Sequence, residues 1–345
     1  MNEKSCCCNA NDYQENTVVE TVSTTLSFND YIGALKVRWG IGRMSYTIEP
    51  GLYSVGKPDD KSPVLVSGNY KLTFDVLRKN LDGINCWLLI LDTKGINVWC
   101  AAGKGTFGTD ELVYRIEKSG LDKYVSHKNL VVPQLGATGV SAHEVKRRSG
   151  YHVSYGPVRA EDIKEYVNTG YIATKDMRVV KFTLKDRLVL TPLQLVQAAK
   201  YMLPIFGGLM LSNQLARRPF EKQDIVASIG AILTGAVITP ALLPFIPGKA
   251  FALKGWLTGL IWTAGCLGLS KRFKKGNRIL SAGELLLLPA VSSFIAMDYT
   301  GSSTYTSPTG VQKEMKKALP FIIGAAAVGG ALTLGVHLLG GRKKK

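Results

Sequence analysis

The chain has 345 residues, enough for two domains; 46% are hydrophobic, the mean hydropathy is slightly positive and the formal charge is +17. That apolar content is high for a wholly soluble protein, and the basic clusters KRFKKGNR (271–278) and RKKK (342–345) abut apolar runs, where anionic headgroups attract them. No recognition motif accompanies the charge, which argues against nucleic acid as a partner, and the six cysteines contain no CxxC pair, so this chain alone builds neither a zinc site nor an iron–sulfur cluster.

Residues 1–30 are polar and aperiodic and read as a disordered tail. Its Cys6, Cys7 and Cys8 are either reduced thiols in that tail or a tag that scavenges soft metals. Residues 35–49 alternate and are rich in β-branched and aromatic residues, which predicts a hairpin or strand pair. PVLVSG (63–68) is a short buried strand. NYKLTFDVLRKNL (69–81) has helical spacing, with Leu72, Val76, Leu77 and Leu81 on one side. CWLLILD (86–92) is the next buried strand. TDELVYRIEKSG (109–120) starts at a Thr cap and stops at Gly120, as a helix does. NLVVPQLG (129–136) is a strand and turn, SAHEVKRRSG (141–150) a helix with a Ser cap and a Gly stop, YHVSYGPV (151–158) a strand and AEDIKEYVNTG (160–170) a helix. This alternation predicts an α/β, Rossmann-like domain over 31–170 with a mostly parallel sheet, whose ligands sit beyond the carboxyl ends of the strands. Residues 171–188 read as a linker.

Two turns fall at those ends, TKGINVWCAAGKGTFG after CWLLILD and PQLGATG after LVV. The first is not a phosphate-binding P-loop, because Val98 and Gly105 break the required pattern. GKGTFG (103–108) matches a dinucleotide glycine pattern but stands about ten residues too far from its strand. The intervening residues read as a small helix, with Asn97 as N-cap, Val98, Trp99, Cys100, Ala101 and Ala102 as its body and Gly103 as its stop. Cys100 then lies in the first turn, where a helix N-terminus favours the thiolate. Ala101 and Ala102 leave room for something large and flat. The plainer alternative is a buried cysteine in a tight turn.

The second half carries five apolar stretches: 189–212, 225–246, 250–269, 279–297 and 319–339. A span needs roughly 20 apolar residues, so 189–341 is expected to be an all-α transmembrane domain of about five helices. With no apolar run opening the chain, the first half is expected to face the cytoplasm from a multi-pass position in the inner membrane. Five spans put the basic loops outside, against the positive-inside tendency; treating 189–212 as interfacial gives four and puts them inside.

The stretch NVWCAAGKGTFGT resembles the cap-helix motif of the corrinoid protein of microbial mercury methylation, the HgcA family. The likeness extends through RWGIGRMSYTIEPGLYSVGKPD, SPVLVSGNYKLTFD, VVPQLGATGVSAHEVKRRSGYHVSYGP and TGSSTYTSPTGV. The first half is also similar to the corrinoid-binding domain of the corrinoid iron–sulfur protein of acetyl-CoA metabolism. The resemblance implies a cobamide cofactor of the vitamin B12 type, with the Cys100 thiolate as lower axial ligand to cobalt. Asn97, Val98, Trp99, Ala101, Ala102, Gly103 and Lys104 would form the rest of the cap, and strand-end positions add Thr73, Gly136, Ala137 and Gly139. It implies an enzyme, a corrinoid methyltransferase that passes a methyl group from methyl-Co(III) to Hg(II), giving methylmercury. The chain has no redox cluster, so an electron donor is needed, and the family's is a small ferredoxin-like 4Fe–4S protein (HgcB). It has no methyl-folate barrel, so a separate methyltransferase must load the methyl group. The competing reading is a membrane transporter or mercury-uptake protein with a regulatory soluble domain. It draws on Lys254 and Glu284, ionisable residues within apolar stretches that could also snorkel to the interface.

Overall fold

The structure is a computed structural model, and it describes residues 19–200, 222–269 and 278–340. Two compact units divide the chain: Met1–Ala34 with Gly42–Val179, and Leu35–Ile41 with Val180–Lys345.

The first unit is a six-stranded mixed sheet in the order β1-β2-β4-β3-β5-β6. Its strands are β1 (Glu20–Thr21), β2 (Gly51–Val55), β3 (Val64–Gly68), β4 (Cys86–Leu91), β5 (Asn129–Val132) and β6 (His152–Tyr155). β4, β3, β5 and β6 run parallel, and β2 lies antiparallel to β4. Strand β4 shows why the sheet is closed on both sides. Trp87, Leu89 and Leu91 point to one face and Cys86, Leu88 and Ile90 to the other, all of them buried. The first face is covered by α3 (Val98–Lys104), α4 (Thr109–Ser119) and α5 (Ala142–Ser149), the second by α2 (Lys71–Lys79) and α6 (Ile163–Asn168).

Several sequence expectations change here. The tail expected through residue 30 contains β1, and α1 (Phe28–Arg38) starts within it. The strand pair expected over 35–49 is instead the end of α1 and a turn, because Gly40 and Gly42 take positive φ and fold the chain back. Only an isolated bridge, Thr47 to Tyr70, remains of it. Strand β2 was not foreseen. In α2 Phe74 and Leu77 are buried, as is Leu81 in the turn that follows, while Val76 is exposed. The linker expected over 171–188 starts later than its first residues. Met177 is buried in the second-face core and its carbonyl accepts from the Val158 N–H at 2.8 Å.

The second face also holds a partly buried charge cluster, with Asp75 and Arg78 buried and Asp30 and Lys71 half-buried. Asp30 accepts from Lys71 Nζ at 2.5 Å and Arg78 Nη2 at 2.8 Å, and Asp75 accepts from Lys71 at 2.7 Å and Arg78 Nε at 2.8 Å. Burial works to raise the Asp30 carboxyl, but hydrogen bonds from Lys71, Ser27 and Arg78 outweigh it and hold the group well below the usual carboxylate range. A carboxylate lowered on folding stabilises the protein above its unfolded pKa of about 3.9, and that stability is lost as pH falls toward the folded value. The melting temperature should therefore drop as pH falls below about 4, and the drop should be shallower in Asp30→Asn. Parallel pH–melting curves for the two chains would contradict this role.

The second unit is helical. Arg278–Ser302 and Thr309–Val336 are long and apolar enough to cross a membrane. They cover the expected stretches 279–297 and, in large part, 319–339. The stretch 250–269 forms the helix Phe251–Leu269. The stretch 225–246 is broken: the helix Lys222–Leu233 passes into a π turn at Thr234–Ile238 and ends at Ala241, leaving an apolar helix of Ile225–Ala241. Of 189–212, residues 189–190 form a turn, 191–200 are helical and 201–212 lie outside the described residues, as do Cys6–Cys8, residues 270–277 and 341–345.

Candidate functional site

The parallel strands end together at Gly68, Leu91, Val132 and Tyr155. From β3 the chain steps to β4 on one side and then crosses to β5 on the other. The connection after β3 enters α2 on one face, and that after β5 leads to α5 on the opposite face. Such a reversal opens a crevice at the strand ends between β3 and β5. α3 follows β4 yet packs on the turn Gln134–Gly136 after β5, so it lies across the end of β3. This puts Cys100 at the switch point.

The local sequence explains why a helix forms there. Asn97 is extended, and its Oδ1 accepts the Cys100 N–H at 2.9 Å, capping the first turn. The helix does not stop at Gly103. It runs to Lys104 and closes at Gly105, which takes the left-handed conformation at φ 82°. Val98, Ala101 and Ala102 are buried in the first-face core, whereas Trp99, Cys100, Gly103 and Lys104 face solvent. The small size of Ala101 and Ala102 thus serves the protein side. A Cβ on Gly139 would stand 3.0 Å from Ala102 Cα and 2.1 Å from the Phe107 carbonyl oxygen. A Cβ on Gly136 would stand 2.5 Å from the Phe107 ring. Gly136 and Gly139 therefore let the loop after β5 close on α3 through fully buried Phe107, with half-buried Ala137 between them. Outside the helix the opposite holds, since a Cβ on Gly103 would meet nothing within 4 Å. Thr73 lies in the first turn of α2, packed on the other face of the sheet, and the structure does not bring it to α3 with the rest.

Sequence reasoning missed the residues that hold the launch of α3. Asn69, buried just past β3, accepts from Thr93 N at 3.0 Å, Thr93 Oγ1 at 2.9 Å and Gly95 N at 3.3 Å, and its Nδ2 donates to Asp92 Oδ1. This clamp fixes a turn in which Lys94 (φ 57°) and Gly95 (φ 70°) are both left-handed. The Asp92 N–H donates to Glu111 Oε1 at 2.8 Å, and buried Arg115 holds that same oxygen from Nε and Nη2. The partners of Asn69 lie 23 to 26 residues away in sequence, so no local pattern marks it.

The cysteines part in character. Cys86 is enclosed in the sheet and burial pushes its thiol up to about 12, so it stays protonated. Cys100 is exposed. Among the described residues no group of three or more His, Cys, Asp or Glu side chains converges as a metal cage would. The cavity of about 450 Å³ beside Lys71, Phe74 and Arg78 is lined from β1, β2 and α2, and none of the expected site residues lines it. In the second unit Lys254 donates to the Leu243 carbonyl at 2.5 Å, which gives that cation a structural partner.

Residues 38–167 match the family described as CO dehydrogenase/acetyl-CoA synthase delta subunit (CdhD). Among curated proteins, the chain is similar to the acetyl-CoA decarbonylase/synthase complex subunit gamma of Methanopyrus kandleri, 34% identical over 35% of this chain and 26% of that protein. The gamma 2 subunit of Methanosarcina thermophila is 37% identical over 34% of this chain and 25% of its own length. The gamma subunit of Archaeoglobus fulgidus is 29% identical over 46% of this chain and 31% of its own. The chain thus spans between a quarter and a third of the length of these relatives.

Proposed function

We propose, on the premise that residues 38–167 are a domain of the CdhD family, that this chain is a membrane-tethered corrinoid protein that transfers a methyl group to Hg(II). Cys100 would hold the cobalt of a cobamide through its thiolate. The observation that carries this reading is the division of α3: every anchor points inward, and one thiol stands on the open side beside Trp99, Gly103 and Lys104. A large flat macrocycle fits such a platform, since nothing lies within 4 Å of where a Gly103 side chain would begin. A metal that arrives already held in a ring also suits a site where one cysteine stands without a cage of protein ligands.

When bound, a cobamide would supply the cobalt that takes up and releases the methyl group, with a thiolate ligand pushing electron density toward transfer to an electrophile. The protein's part is positional. Asn97 ties down the Cys100 backbone N–H, the Asn69 clamp fixes the turn from which α3 starts, and Phe107 seats the helix on the core. Gly103 keeps the platform flat. The reaction would draw on two partners, a ferredoxin-like electron donor and a separate methyltransferase. The two helices long and apolar enough to cross a membrane support membrane association of the second unit; the proposed setting is the cytoplasmic membrane, in several passes, with the first unit on the cytoplasmic side.

A fragment of residues 19–179 tests the site apart from the membrane. It is expected to fold without lipid, to bind one equivalent of cobamide, and to give an anaerobic absorption and EPR spectrum that changes in Cys100→Ala. A cofactor spectrum indifferent to that substitution would refute ligation by Cys100.

A further inference from the structure

Helix α1 (Phe28–Arg38) has two opposite faces, and only one is occupied. On the inner side Asp30 joins Lys71 and Arg78, a Cβ on Gly33 would strike the Tyr46 ring, and Val37 is buried. Spacings of three and four residues put these positions on one side of the helix and set its rotation. Phe28, Tyr31, Leu35 and Trp39 recur at three, four and four residues, so they line up on the other side, with Trp39 in the turn that follows. All four are exposed, Phe28 by 77%, and none packs into a hydrophobic cluster among the described residues. Ile41 and Met44 continue the exposed line through the turn.

A single exposed apolar side chain is ordinary, but a continuous line of them marks an interaction face. Its composition selects the occupant. Phe, Tyr and Trp beside Leu suit the boundary between headgroups and acyl chains, where an apolar ring body and a polar edge are both satisfied. Lys36 and Arg38 fall on opposite flanks of the line, each about a quarter turn from its axis, and Arg43 follows in the turn. Bases flanking an apolar stripe are the pattern of a helix that lies in the headgroup layer, and a chain of charge +17 suits anionic lipid. The end of the helix leads to the same place. Leu35–Ile41 groups with Val180–Lys345, the unit that holds the two helices long and apolar enough to cross a membrane. A Cβ on Gly40 would stand 3.3 Å from Leu193 Cδ1, within the helical residues 191–200 of that unit.

We propose that α1 is an interfacial helix whose partner is an anionic lipid surface. It lies along the bilayer with Phe28, Tyr31, Leu35 and Trp39 among the acyl chains, while Lys36 and Arg38 reach the lipid phosphates. The helix is then a second attachment to the membrane, besides the apolar helices. This inference rests on the membrane setting proposed above.

The test places the full chain in nanodiscs of phosphatidylcholine and phosphatidylglycerol, with or without bromine on the acyl chains, and compares its tryptophan emission with that of W39F. The difference isolates Trp39, while Trp256 and Trp262, in the helix Phe251–Leu269, report whether the chain is in the bilayer. The Trp39 component is expected to be blue-shifted and to lose most of its intensity to bromine. L35D, which puts a charge on the exposed line, should restore much of that intensity. A Trp39 component that bromine leaves unchanged, while the remaining emission is quenched, overturns the proposal and leaves the membrane setting standing. If no emission is quenched, both fall. An unquenched Trp39 whose emission shifts with protein concentration gives the line to a second copy of this chain and likewise overturns the proposal. Should W39F fail to fold, L35D against wild type decides, and equal quenching of the two chains overturns it.

Discussion

A Cys100→Ala chain should lose methylmercury formation by about 100-fold or more, beyond the 10–100-fold usual for losing an outer-shell partner of a metal. The same change should alter stability by no more than about 0.5 kcal/mol, as for an ordinary surface substitution. The thiol is exposed, and the backbone N–H that Asn97 caps is still present in alanine. Cys100→His separates bonding from electron donation, because imidazole also ligates cobalt but is a neutral donor. Activity should stay low although a ligand has been restored. Near wild-type activity in Cys100→Ala would sink the proposed chemistry, while a variant that unfolds would mean the side chain faces the core after all.

Two glycines near that thiol should respond with opposite signs. In Gly139→Ala the new methyl would sit 2.1 Å from the Phe107 carbonyl oxygen and 3.0 Å from Ala102 Cα, both backbone atoms that cannot swing aside. Overpacking of this kind costs about 1–3 kcal/mol or more. For a unit of this size that lowers the melting temperature by about 2–4 °C per kcal/mol. It should also loosen cobamide, because the loop after β5 and α3 are pressed together at that point. Gly103→Ala meets open space inside a helix, so it should stabilise by about 0.5–1 kcal/mol while crowding the platform. Melting curves and cobamide titrations of the two variants check both signs. Equal destabilisation would show that the inner and outer sides of α3 have been misassigned.

The parts of this fold that could be read from sequence are those fixed by neighbours in the chain. β3 and β4 announce themselves as apolar runs, and Asn97, Ser141, Gly120 and Gly150 mark helix ends where the structure has them. The stop of α3 was misplaced by two residues because two glycines compete and only Gly105 adopts the left-handed conformation. Residues 35–49 misled because alternation survives in a chain that two positive-φ glycines have bent into a turn. β2 escaped notice as a short run beside Pro50, its place in the sheet set by pairing with β4, which local composition does not encode. Site residues divided in the same way. Cys100 and its cap are a local motif, whereas Asn69, Glu111 and Arg115 act across the fold. Gly136 and Gly139 were expected as cofactor contacts, and the packing they show is against Phe107 and Ala102.

Since the side chains that fasten α3 to the core are its inner ones, its outer positions form an exchangeable face. Residues 99, 100, 103 and 104 can be rewritten as a cassette without asking the core to repack, because Val98, Ala101 and Ala102, with Phe107 behind them, carry the seating. On the proposed reading, one scaffold would display a sulfur, an imidazole or no ligand at all to a bound cofactor. The donor strength offered there would become a quantity that selection, or an engineer, can adjust independently of whether the protein folds.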